Sequence, residues 1–84
     1  MVRASYTIKN EEGLHARPAT DFCKTAGRVE SDITIIKDGE EFEAKSILMV
    51  LCMGAVKGDT IELVIDGKDE REALDALIET LDAE

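Results

Sequence analysis

The chain has 84 residues, 44% of them hydrophobic and 35% charged, with a formal net charge of −9. That length supports one core and a single domain over residues 1–84, the composition excludes a disordered tail, and the charge excludes a general affinity for nucleic acid or anionic membrane. No apolar run approaches the roughly 18 residues that cross a bilayer and MVRASYTIKN lacks the apolar core of a signal peptide, so a cytoplasmic protein without membrane insertion is expected.

Val2 to Ile8 alternates, with Ala4, Tyr6 and Ile8 on one side, and predicts a half-buried strand. After the polar loop Asn10-Glu11-Glu12-Gly13, Ala19, Phe22, Cys23 and Ala26 recur at helical spacing and predict a helix over about 16–26, with Gly27 as a left-handed stop. Pro18 is compatible with the first turn of that helix, where a backbone N–H has no intrahelical acceptor. Asp32 to Lys37 and Glu40 to Glu43 read as two strands joined by a tight turn at Asp38-Gly39.

The run Ile47 to Met53 is apolar on every side, and periodicity alone does not decide between helix and strand. Leu and Met outnumber β-branched residues, Ser46 suits an N-cap and Gly54 a C-terminal stop, so a short helix is predicted. Thr60 to Asp66 alternates as a strand, with Ile61, Leu63 and Ile65 on one face. A final helix follows, with Asp69 as an N-cap in a box with Glu72 and an apolar stripe of Ala73, Leu74, Leu77, Ile78 and Leu81.

The order is βαββαβα. An α/β fold of the α+β type follows: an open-faced β-sandwich whose four-stranded antiparallel sheet is covered on one face by three helices. Both cysteines, Cys23 and Cys52, lie in apolar stretches outside any metal or redox pattern and are expected as reduced core thiols. Residues 1–57 are nearly neutral at net −1, while residues 58–84 carry net −8.

The only histidine and the only proline fall in GLHARPAT, residues 13–20. A helix beginning at Ala16 leaves His15 at or just outside its N-cap, facing the free amides of Ala16 and Arg17 and the positive helix end. A phosphoryl group on a ring nitrogen would find backbone donors ahead of it and the Arg17 guanidinium beside it. No second histidine or suitably spaced thiolate supports a metal site. Part of the 47–53 run must stay exposed, so Ile47, Leu48, Met49 and Leu51, rimmed by Thr20 and Lys24, form a candidate partner surface.

Gly13-Leu14-His15-Ala16-Arg17-Pro18-Ala19 and Lys45-Ser46-Ile47-Leu48 are the most specific parts of a likeness that extends over essentially the whole chain, with Gly54 and Lys57-Gly58 fitting as well. The sequence resembles the HPr family, the histidine-containing phosphocarriers of the bacterial phosphoenolpyruvate phosphotransferase system. The resemblance implies that His15 accepts a phosphoryl group from enzyme I and donates it to enzyme IIA domains, with Arg17 steadying the phosphate. It implies a carrier and not an enzyme, a monomer without cofactors, and a possible target of HPr kinase/phosphorylase at Ser46. Met49, where many members have glycine, and Glu12, where a small polar residue is frequent, depart from the pattern and bear on partner choice. A regulatory phosphotransfer branch uncoupled from sugar uptake, and a non-phosphorylated ligand- or protein-binding module of the same element order, are the competing readings.

Overall fold

The computed structural model describes residues 1–84. Its elements are β1 (Val2–Thr7), α1 (Ala16–Gly27), β2 (Asp32–Lys37), β3 (Glu40–Glu43), α2 (Ile47–Met53), β4 (Thr60–Asp66) and α3 (Glu70–Asp82). The four strands form one antiparallel sheet in the order β1-β4-β2-β3. This is the α+β open-faced sandwich expected from the order of elements.

Register follows the alternation. Tyr6 lies opposite Ile61, and Ile33 and Ile35 lie opposite Ile65 and Leu63, so the buried face is a sheet of branched aliphatics. The helices cover that face: α1 and α3 pack on each other, α3 lies over β1 and β4, and α2 lies over β3. Phe22, Ala26, Leu77 and Leu81 complete one continuous core. The other sheet face is solvated and carries the Arg3–Glu62 ion pair at 3.1 Å and the Thr7–Thr60 hydroxyl pair at 3.0 Å.

The turn between β2 and β3 has φ of 53° at Asp38 and 81° at Gly39, the paired positive values that match the twist of a two-residue hairpin. Helix α2 is capped as expected: the Ser46 hydroxyl accepts from the Met49 N–H at 3.3 Å, and Gly54 closes the helix with φ 66°.

Four sequence expectations need correction. Strand β1 stops at Thr7, because Ile8 turns to bond the next loop: its N–H donates to the Asp59 carbonyl and its carbonyl accepts from the Gly58 N–H, both at 2.9 Å. Gly27 is the last residue of α1 and not a left-handed stop; Arg28 follows with φ −85°, its N–H donating to the Thr25 carbonyl at 3.1 Å. Asp69 makes no side-chain cap. Its carboxylate instead accepts from the N–H groups of Glu30 and Ser31, each at 3.0 Å, and from the Ser31 hydroxyl, tying the start of α3 to the loop before β2. Those bonds hold the Asp69 carboxyl below the usual carboxylate range, the Ser31 hydroxyl first among them. Finally, both cysteines are free but neither is a fully buried core residue: Cys23 is half-buried against the core, where burial pushes its thiol up, and Cys52 is exposed on α2.

The C-terminal helix is locked to β1 by polar contacts as well. The Tyr6 hydroxyl donates to Asp82 Oδ1 at 2.8 Å, and Lys9 Nζ reaches the same oxygen at 3.1 Å. Burial, with Asp82 as hydrogen-bond acceptor, pushes Tyr6 up to about 12. Its hydrogen bond, and then that of Lys9, holds the Asp82 carboxyl below its ordinary value.

Candidate functional site

The loop that presents His15 is fixed from two sides. Asn10 Nδ2 donates to the Gly13 carbonyl at 2.9 Å, and the Gly13 N–H donates back to the Asn10 carbonyl at 3.2 Å, closing a compact turn. Gly13 has φ 68°, and a Cβ there would run into the Ala55 carbonyl oxygen and lie 2.8 Å from Val56 Cα. Glycine therefore lets two backbones touch. The Leu14 N–H donates to that same Ala55 carbonyl at 2.9 Å, and the Leu14 side chain is wholly buried. The histidine loop is thereby moored to the segment that follows α2.

His15 comes next, extended at φ −132° and ψ 163°, as the N-cap of α1. Its ring caps no amide and is half-buried, so it stays reachable from solvent. Ala16, the first helical residue, has φ 53°, a left-handed conformation that costs a non-glycine residue about 1–2 kcal/mol. Beyond it the amides of Ala16 and Arg17 make none of the loop, turn or cap bonds, and no acidic side chain occupies the first turn of α1. An imidazole thus stands before unpartnered donors at a positive helix end, an arrangement suited to holding an oxyanion attached to the ring.

Arg17 is 87% exposed and its Nε lies 3.7 Å from Asp21 Oδ2, one turn along the helix. Sequence reading placed Arg17 by the ring and did not single out Asp21, although their i,i+4 spacing was visible. Glu12 and Glu84 line one cleft with Arg17, Pro18 and Asn10. Partial loss of solvent, and then the neighbouring Asp21 carboxylate, push the Glu84 carboxyl up.

The apolar surface lies close by, since Ala55 and Val56 connect α2 to the histidine loop. Ile47, Leu48, Met49 and Leu51 are exposed on α2, Leu48 at 71%, while Val50 and Met53 turn into the core. Val56 is also exposed and was missed, because a single valine in a loop carries no periodic signal. Thr20 and Lys24 are exposed on α1, with the Thr20 hydroxyl donating to the Ala16 carbonyl at 3.2 Å. Lys57, beyond Val56, pairs with Glu11 and holds its carboxyl down, a second tie between the two loops. No cluster of three or more His, Cys, Asp or Glu side chains is arranged to hold a metal ion, and no helix is long and apolar enough to cross a membrane.

The family model for the PTS HPr component phosphorylation site matches residues 2–83. The chain belongs to the HPr family. The HPr-like protein Crh of Halalkalibacterium halodurans is 42% identical over 84 residues, all of this chain and all of that protein. Among solved structures, HPr-C-His of Thermoanaerobacter tengcongensis superposes with a TM-score of 0.96 at 38% identity, covering 99% of this chain and 93% of its own. The phosphocarrier protein HPr of Bacillus anthracis superposes with a TM-score of 0.90 at 37% identity, covering 94% of each chain. The Thermoanaerobacter HPr has also been solved as a dimer. The HPr match spans both segments that carried the sequence resemblance, the histidine loop and the start of α2.

Proposed function

We propose that this protein is a phosphocarrier that accepts a phosphoryl group on His15 from phosphorylated enzyme I and passes it to sugar-specific enzyme IIA domains. The observation that carries the reading is a solvent-reachable imidazole at the extended N-cap of α1, ahead of the unpartnered amides of Ala16 and Arg17. In the loading step a ring nitrogen's lone pair attacks phosphorus, the donor's bond to phosphorus breaks, a new P–N bond forms, and the ring's displaced proton leaves to solvent or donor. Unloading is the same exchange toward the next acceptor. Backbone donors and the Arg17 guanidinium stabilise the charged phosphoryl oxygens through charge-assisted hydrogen bonds. Ile47, Leu48, Met49 and Leu51, with Thr20 and Lys24 at the rim, dock the larger partners. In this reading the protein works without a cofactor, as a cytoplasmic monomer.

The test is direct. Pure protein incubated with enzyme I, phosphoenolpyruvate and Mg²⁺ should acquire acid-labile phosphate, and His15→Ala should acquire none. Equal labelling of the variant would end the assignment.

A regulatory role is the second reading, favoured by the 42% identity to a protein named Crh and by the position of Ser46. Its hydroxyl caps α2 beside the exposed apolar side chains, so a phosphate there would add about −1.5 to −2 charge to the proposed docking surface. HPr kinase/phosphorylase with ATP should then add one phosphate to the wild type and none to Ser46→Ala. Discharge of phosphorylated His15 by an enzyme IIA domain separates transport from a purely regulatory branch.

A further inference from the structure

Arg17 is exposed and has a carboxylate partner. Its guanidinium pairs with Asp21 at 3.7 Å and shares a cleft with Glu12 and Glu84, while Asp21 and Glu84 face Lys24, Arg28 and Glu79 in the neighbouring cleft. Asp21 lies one turn down α1 from Arg17, whereas His15 lies at the opposite, N-terminal side. The acid that pairs with the guanidinium therefore lies on the side of Arg17 away from the helix end that carries His15. We propose that Asp21 is a positioning residue that competes with a His15-bound phosphoryl group for Arg17, leaving the phosphoryl group less stabilised and readier to depart.

The inference rests on His15 being the phosphoryl acceptor. A negative phosphoryl group and the Asp21 carboxylate compete for one set of guanidinium donors, and the acid wins part of the population at each moment. An exposed ion pair at i,i+4 spacing is a weak hold, corresponding to about a twofold bias. It tunes the carrier without disabling it.

The experiment requires no partner protein. Potassium phosphoramidate phosphorylates accessible imidazoles: its P–N bond breaks with release of ammonia as the ring nitrogen takes the phosphoryl group. Wild type, Asp21→Asn, Arg17→Ala and the double variant are labelled in this way, and the phosphoryl proton affinity is read by ³¹P NMR titration. Asp21→Asn should lower that affinity about twofold, because freed Arg17 favours the dianion. In the Arg17→Ala background the same change should have less than half that effect. Labelling at His15 with no shift in Asp21→Asn, or with equal shifts in both backgrounds, would overturn the role of Asp21 and leave the carrier reading intact. Failure of both phosphoramidate and enzyme I to label His15 would overturn the two together.

Discussion

Replacing Gly13 by alanine should destabilise the protein by about 2–4 kcal/mol, although it adds only one methyl group. An alanine at φ 68° carries a left-handed penalty of about 1–2 kcal/mol. The new Cβ also meets the Ala55 carbonyl, so the loop must retreat and strain or break the Leu14 N–H bond to that oxygen, a loss of about 0.5–1.5 kcal/mol. Some relaxation of the wholly buried Leu14 side chain accounts for the remainder. Urea unfolding at neutral pH measures the total, and a thermal midpoint lower by on the order of 10–20 °C should accompany it. Gly27→Ala is the control: it lies in helical backbone with nothing within 4 Å of the place its Cβ would take, and should be neutral or stabilising by up to about 1 kcal/mol. A Gly13→Ala variant within about 0.5 kcal/mol of wild type would refute the mooring of the histidine loop to Ala55.

Arg17→Glu should slow phosphorylation by enzyme I about tenfold or more, the scale of one lost charged hydrogen bond, while urea unfolding stays within about 0.5 kcal/mol of wild type. Ser46→Ala removes the α2 cap and should cost about 1 kcal/mol by the same unfolding assay. Tyr6→Phe tests the clasp between β1 and α3 through pH. Asp82 is held below its ordinary carboxylate value, so its contribution is present above about pH 4 and fades as pH falls through the folded value. Tyr6 is raised to about 12, so its contribution is present below its unfolded value and fades as pH rises through the folded one. The stability gap between wild type and Tyr6→Phe should therefore be widest between about pH 4 and 10 and close on both sides; a gap independent of pH would contradict the Tyr6–Asp82 hydrogen bond.

Several local signals in the sequence determined the outcome, although the stop expected at Gly27 and the cap expected at Asp69 did not form. The alternation of Ile61, Leu63 and Ile65 fixed which side of β4 is buried, Asp38-Gly39 fixed the hairpin, and Ser46 and Gly54 bounded a helix that periodicity could not assign. Each depends on backbone preference or on residues within one turn, so a single stretch of chain carries the information. The histidine before a helix start was legible for the same reason. Tertiary structure alone decided where Asp69 spends its carboxylate, that Cys52 faces solvent, and that Gly13 is needed for contact with Ala55. Asp69 satisfies amides 38 and 39 residues away in preference to its own helix, and Gly13 is constrained by a carbonyl that sequence spacing does not bring near. A side chain's partner is chosen by every segment that folding brings within a few ångströms, whereas local propensity registers only neighbours along the chain.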